Sequence, residues 1–223
     1  MLVLALDTSS PTVAVAVCEV ADGDVRLRAE RSETAENRHG ELLAPLTAAA
    51  LREAGVAPGQ LAAIVVGLGP APFTGLRVGI MTARAMSDAL AIPAYGVCSL
   101  DGIAHRFTVD AGPFAVVTDA RRKQVYWALY DDRGRRIDGP ELHSPQELAA
   151  LLRDRTTDLV GAGALKYAES FAGFTVRPGD PSPRAVDLVW CADFAAAPGD
   201  LTPLYLRRPD AQPPGRPKAV TPA

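Results

Sequence analysis

Cysteine is scarce in this sequence, and its three examples, Cys18, Cys98 and Cys191, lie far apart. An odd number with no close pair argues against a disulfide framework and against a zinc site, and it fits a reducing cytosol. Long apolar runs are missing too, since none approaches the roughly 20 residues that a membrane span needs. The N-terminal stretch MLVLALDTSS has no basic start and is interrupted early by Asp7. It therefore predicts a buried first strand and not a signal peptide.

A basic excess is also absent. The 223 residues carry a formal net charge of -3, whereas a dedicated nucleic-acid binder usually has a surplus of Lys and Arg. Any RNA contact is therefore expected to be local or shared with a partner. Hydrophobic residues make up 48% of the chain. That proportion, at this length, allows one large domain or two small lobes with real cores.

What the sequence does contain is one order of elements that occurs twice. The first half predicts strands at 2–6, 12–20, 25–31 and 61–66, with helices at 39–54 and 75–90. The second half predicts strands at 114–118, 124–130, 135–142 and 158–160, a helix at 145–153 with Ser144 as its N-cap, and a helix from about Ala164. Both halves have the element order βββαβα. The separation along the chain between Asp7 and Asp119 equals that between Thr12 and Gln124.

Two such units predict an α/β protein with two lobes facing a cleft. Hairpins followed by crossovers give a mixed sheet covered by helices, and this is by analogy the architecture of actin-like ATPases and sugar kinases. We place an N-terminal lobe at residues 1–106 and a reduced C-terminal lobe at 107–206. Residues 207–223 are rich in proline and polar side chains, so we expect a disordered tail.

The glycine-rich segment GLGPAPFTGLRVG, residues 67–79, is not a phosphate loop of a known kind. No lysine follows its last glycines, and proline breaks the dinucleotide fingerprint. Instead, Gly75, Gly79, Ala83 and Ser87 recur every four residues and form a row of small side chains on one helix face. Such a row permits close packing, either within its own lobe or against another subunit. Both interpretations remain open on the residues alone.

Two turns are candidates for binding phosphate. In an actin-like kinase the first hairpin binds phosphate, and Asp7, Thr8 and Ser9 could have that role here. The alternative is a tight turn that the same side chains cap through hydrogen bonds to the backbone. The matching turn of the second lobe starts at Asp119 and carries Arg121, Arg122 and Lys123, which either meet phosphate or RNA or form a solvated hairpin tip. Gly161 and Gly163 follow a strand where a relative would place its adenine loop, or form a simple strand-to-helix turn.

A catalytic set is not evident. The histidines His39, His105 and His143 are scattered without a metal-binding spacing. Ser9, Ser10 and Ser99 have no evident histidine base. The residues therefore do not indicate a peptidase. A small ATP-dependent kinase or ATPase using Asp7, Thr8 and Asp119 is the enzymatic alternative, although the second lobe is short for a complete kinase.

A set of motifs resembles one protein family, TsaB (also called YeaZ), and covers nearly everything except the tail. The matching segments are LALDTSS, NRHGELLAP, VVGLGPAPFTGLRVG, AYGVCSLDGIAH, VVTDARRKQVYWALY, GAGALKY and PLYLRR. The resemblance implies an actin-like fold without independent enzymatic activity, in the bacterial machinery that makes N6-threonylcarbamoyladenosine (t6A) in tRNA. The resemblance implies that this chain needs no cofactor, and it leaves open whether the chain binds ATP or ADP.

The resemblance also implies partners. They are the catalytic paralogue TsaD, the ATPase TsaE, a second copy of the chain, and tRNA indirectly through the complex, with no membrane. The metal-binding H-x-x-x-H motif of the paralogue falls at Ser99 and Ile103, neither of which is a strong ligand. The two N-terminal helices would form the partner contact, which predicts these residues at the interface: Leu42, Leu43, Leu46, Ala50, Gly75, Val78, Gly79, Ala83 and Met86.

Overall fold

The computed structural model describes residues 1–71, 73–107, 112–180 and 182–207. These residues build two mixed five-stranded sheets with helices packed on them. Apart from Arg207, the predicted tail lies outside the described residues. No helix among those described combines the length and the apolar composition that a membrane span requires.

The first sheet has the strand order β3-β2-β1-β4-β5. Its members are β1 (Leu2–Asp7), β2 (Thr12–Ala21), β3 (Asp24–Thr34), β4 (Ala63–Gly67) and β5 (Ala94–Val97). The first three strands form an antiparallel meander, and β4 and β5 run parallel to β1. Apolar residues occupy both faces of β1, because helices cover the sheet on both sides.

The second sheet repeats this topology with the order β10-β9-β6-β7-β8. Its members are β6 (Phe114–Asp119), β7 (Val125–Tyr130), β8 (Arg136–His143), β9 (Asp158–Val160) and β10 (Thr175–Val176). Again three antiparallel strands are followed by two that run parallel to the first. The predicted duplication is therefore present, and each unit has one strand more than the sequence indicated.

The helices differ strongly in length between the two units. On the first sheet lie α1 (His39–Ala54) and α2 (Phe73–Leu90), with 16 and 18 residues. The corresponding α4 (Pro145–Leu152) and α5 (Ala162–Lys166) have 8 and 5 residues. The second unit is thus reduced in its helices and not in the number of its strands.

Each unit ends in a short helix that packs on the sheet of the other unit. Helix α3 (Ser99–His105) follows β5, yet its Leu100 and Ile103 join the core formed by β6 and β7. Helix α6 (Ala185–Cys191) follows β10 and covers the face of the first sheet opposite α1 and α2. The exchange buries apolar surface between the units and so ties the two sheets together. The boundary placed near residue 106 stays a prediction.

The predicted helix at 39–54 and the strand at 158–160 are confirmed at both ends. Ser144 is confirmed as the N-cap of α4: its hydroxyl accepts from the Glu147 N–H, and the Glu147 carboxylate accepts from Ser144 in return. The sequence analysis missed β5, α3, β10 and α6, which are all seven residues long or shorter.

Candidate functional sites: two turns and a helical face

The turn after β1 contains a buried carboxylate. Asp7 Oδ1 accepts hydrogen bonds from the N–H and the hydroxyl of Ser9, at 2.7 and 2.6 Å, and Oδ2 accepts from the Ser99 hydroxyl at 2.7 Å. Burial raises the pKa of the Asp7 carboxyl, and these hydrogen bonds oppose that rise. A Cβ on Gly67 would come within 2.1 Å of Asp7 Oδ2, so the neighbouring strand closes over the group. This geometry favours the capped turn.

Thr8 in the same turn supports α2. Its Oγ1 accepts a hydrogen bond from the Gly79 N–H at 3.1 Å, and a Cβ on Gly79 would approach that oxygen to 2.5 Å. One turn earlier along the helix, Gly75 lies against the ring of His39, at 3.1 Å from an added Cβ. The small residues of α2 thus allow close packing against their own lobe. A nucleotide role for Asp7, Thr8 and Ser9 stays a prediction.

The orientation of this row corrects the expected partner surface. Gly79 and Ala83 are buried in the first lobe, so a visiting helix does not reach them. The same core encloses Leu42, Leu43 and Ala50 of α1. Their burial has a simple cause, since the apolar stripe of α1 and the small-residue row of α2 both face the first sheet. Of the predicted contact residues, four are half-buried and remain partly accessible: Leu46, Gly75, Val78 and Met86.

The opposite sides of the same two helices are exposed. Helix α1 presents Ala44, Pro45 and Ala48 to solvent, and the neighbouring α2 presents Met81 and Ala85. We call these five residues the outer helical face. They carry methyl and methylene groups and one thioether but no charge, and Met81 is 57% exposed. Flexible methionine on a smooth apolar surface adapts readily to a packing partner.

The turn after β6 differs from its counterpart. Asp119 Oδ2 binds Lys166 Nζ at 2.6 Å, and Oδ1 accepts from the Tyr167 hydroxyl at 3.0 Å and from the Arg121 N–H at 3.1 Å. Arg121, Arg122 and Lys123 are exposed and have φ angles of 60°, 52° and 57°. Three consecutive left-handed residues with side chains are rare, because each costs roughly 1–2 kcal/mol. The tip therefore holds three cations on an unusual backbone.

Gly161 and Gly163 pack against the second sheet. A Cβ on Gly161, whose φ is 108°, would lie 2.3 Å from the carbonyl oxygen of Val117, and one on Gly163 would lie 2.8 Å from the backbone of Thr118. The glycines therefore let α5 approach β6 closely. This favours the strand-to-helix turn over an adenine loop, whose assignment stays a prediction.

The positions that match the metal ligands of the paralogue lie inside the protein. Ser99 is 2% exposed with its hydroxyl bonded to Asp7, and Ile103 is fully buried between the two units. Within the described ranges, no group of three or more His, Cys, Asp and Glu side chains could hold a metal ion. The burial of Ser99 also bears on peptidase activity. A peptidase nucleophile has to contact its substrate, and the buried Ser99 hydroxyl is not accessible to one.

Comparison with known proteins decides the family. The family model described as TsaD: tRNA N6-adenosine threonylcarbamoyltransferase matches residues 31–175. A Bacillus subtilis protein named tRNA threonylcarbamoyladenosine biosynthesis protein TsaB is 33% identical over 130 residues, which cover 58% of this chain and 55% of the relative. The Pseudomonas aeruginosa structure named YeaZ superposes with a TM-score of 0.72 at 27% identity, covering 92% of this chain and 99% of its own. The chain belongs to the TsaB (YeaZ) family.

Membership of the TsaB family also places the fold in the actin-like class, as the repeated βββαβα order predicted. An uncharacterized protein of Mycobacterium tuberculosis is 44% identical over 211 residues, which cover 95% of this chain and 94% of the relative. The sequence similarity to this relative therefore extends over both sheets of the present chain. A further Pseudomonas aeruginosa structure is described as similar to peptidase YeaZ, with a TM-score of 0.73 and 28% identity.

Sequence reasoning missed the outer helical face and the strap of residues 192–207. Alanines at positions 44 and 48 recur at helical spacing opposite the leucine stripe of α1, and that signal could have identified the face. The strap has no periodicity, yet Leu201 enters the first core, and the hydroxyl of Tyr205 accepts from Arg77 Nε at 2.6 Å. Only the folded chain brings these distant residues together.

Proposed function

We propose that this chain is a non-catalytic subunit of the cytoplasmic machinery that makes t6A in tRNA, and that it binds and activates a TsaD-type transferase. Membership of a family whose relatives are named as t6A biosynthesis proteins supports this role. The three free cysteines suit a reducing compartment. The observation that carries the proposal is the outer helical face.

The outer helical face suits a protein partner for two physical reasons. First, docking there removes the apolar groups of the five residues from water, and each Å² of buried apolar surface contributes about 25 cal/mol. The exposed side chains of Arg52, Arg77 and Arg84 border the face and can stay hydrated at the rim of a contact. Second, α1 and α2 are 16 and 18 residues long and are anchored by their other sides in one core, so the face is rigid before binding. The transferase is the occupant that the family relation favours.

Charge placed on this face tests the proposal. We expect Ala48→Glu and Met81→Glu each to abolish capture of this chain by the immobilised catalytic paralogue, because either substitution places a hydrated carboxylate in the apolar part of the contact. Both positions are exposed, so thermal melting should stay close to that of the wild type. Leu151→Glu is the matched control, since Leu151 is 42% exposed on α4 in the other unit.

Capture of both variants at wild-type strength would refute this placement of the contact. Equal loss in the Leu151→Glu control would show that added negative charge, wherever it lies, is responsible. A second copy of this chain and a TsaE-type ATPase stay predicted partners. Light scattering of Met81→Glu tests the homodimer. If two copies of this chain associate through the outer helical face, the variant should be monomeric.

A further inference from the structure

Five cations converge on the end of the second sheet where β6 meets β7. They come from three separate segments: the hairpin tip with Arg121, Arg122 and Lys123, the end of α5 with Lys166, and the strap with Arg207. We call them the basic end. Arg207 donates to Gln124 Oε1 at 2.5 Å, and Lys166 shares the Asp119 carboxylate with the backbone N–H of Arg121. Lys166 and Arg207 therefore flank the hairpin whose tip carries the other three cations.

The carboxylate among these cations does not cancel the surrounding charge. Asp119 is one acid among five cations, and Lys166 already pairs with it at 2.6 Å. The whole chain carries a formal charge of -3, so the basic end contrasts in sign with the rest of the molecule. A local positive surface on an acidic protein attracts a polyanion to one place and repels it elsewhere.

The backbone holds the tip in position. The Ala120 N–H donates to the Gln124 carbonyl at 2.9 Å, the Gln124 N–H donates to the Arg121 carbonyl at 3.0 Å, and Asp119 holds the Arg121 N–H. These bonds offset the cost of three left-handed residues, a kind of strain that clusters at functional sites. The tip thus presents its cations with less freedom than a solvated loop would.

The shape of the basic end favours an extended ligand over a small nucleotide. Gly161 and Gly163, which would have formed a nucleotide loop beside it, are pressed against Val117 and Thr118. Arg121, Arg122 and Lys123 are exposed at the hairpin tip, Lys166 is exposed beside it, and Arg207 is half-buried. Exposed Arg and Lys from several segments match the spaced phosphates of a nucleic-acid backbone, the contact that dominates protein–RNA affinity.

We propose that the basic end is an RNA-backbone contact surface, through which this chain helps to hold the tRNA substrate of the transferase complex. The proposal rests on the proposed function, since that function supplies the RNA. It assigns no base recognition to this chain, because phosphate contacts position an RNA without reading its sequence.

The test compares two neutralised variants of equal charge in complex with the catalytic paralogue. One is the triple variant R121Q/R122Q/K123Q. Its control is R26Q/R28Q/R31Q on the exposed strand β3 of the other unit. Binding of labelled tRNA is followed by fluorescence anisotropy from about 50 to 200 mM salt. We expect the hairpin triple to weaken binding about tenfold or more and to reduce the slope of log affinity against log salt by about 2 to 3. The control should stay within about twofold of the wild type.

Four results would overturn the proposal. Equal losses in both triples would mean that only net charge matters. Displacement of tRNA by inorganic triphosphate at matched phosphate concentration would mean a small-anion site and not an RNA surface. Loss of capture by the immobilised transferase in the hairpin triple alone would place a protein contact there. Retained capture with unchanged tRNA affinity would refute the RNA surface and leave the proposed function standing.

Discussion

The turns after β1 and β6 occupy equivalent places in the two repeated units and have opposite fates. Asp7 is fully buried, and its oxygens are taken by Ser9 and Ser99. Asp119 lies near the surface and pairs with Lys166. The same turn of the repeated unit is therefore part of the interior in the first unit and part of the exposed surface in the second.

Helix length contributes to this difference. Helix α2 has 18 residues and lies over the first turn, with Gly79 against Thr8, whereas the equivalent α5 has only 5 and leaves the tip of the second turn open. Covering a polar turn requires that its groups be hydrogen-bonded inside the protein. Ser9 and Ser99 supply those bonds for Asp7. At the second turn, cations and solvent face the carboxylate instead.

The largest effect is expected where the first turn meets α2. Gly79→Ala places a Cβ 2.5 Å from Thr8 Oγ1, so we expect the free energy of unfolding to fall by about 3 kcal/mol. Gly40→Ala is the control, because nothing lies within 4 Å of that added Cβ, and it should be neutral or slightly stabilising. Urea denaturation measures both. Equal stability of the two variants would mean that α2 does not press on the turn.

The junction of the two units predicts a pH dependence. Arg106 Nε lies 2.9 Å from the buried carboxylate of Asp187, and burial raises the pKa of Asp187 to about 6 despite that cation. A raised pKa in the folded state favours the protonated form, so its stability contribution is complete below about pH 4 and is lost as pH rises through 6. We expect the wild type to lose up to about 3 kcal/mol over this window relative to Asp187→Asn. Parallel stability–pH curves for the two proteins would contradict this expectation.

A matched pair of substitutions compares the two turns directly. Asp7→Asn removes a buried charge but places an NH2 group opposite the donors of Ser9 or the Ser99 hydroxyl. We expect the lost hydrogen bonds to outweigh the removed charge, with a net loss of about 2 kcal/mol. Asp119→Asn breaks a pair with the exposed Lys166, which is worth less than about 1 kcal/mol. Chemical denaturation at neutral pH measures the free energy of unfolding of both variants and shows which loses more. A larger loss at Asp119 would reverse the roles assigned to the turns.

The sequence predicted the repeat, because strands and long amphipathic helices carry their signal in local periodicity. Helix α1 is an example, bounded correctly at His39 and Ala54. It did not predict α3 or α6, whose seven residues each are stabilised by the sheet of the other unit. Nor did it orient the row that includes Gly79, because periodicity identifies a face but not the neighbour, here Thr8, against which it packs.

Reconstituted transfer of the threonylcarbamoyl group to tRNA tests the central claim most directly. The catalytic paralogue is assayed alone, with this chain, with Met81→Glu and with Leu151→Glu. We predict that the wild type and Leu151→Glu stimulate the transferase and that Met81→Glu does not, although all three are folded. Full stimulation by Met81→Glu would contradict activation through the outer helical face. Turnover by this chain without the paralogue would contradict the proposed non-catalytic role.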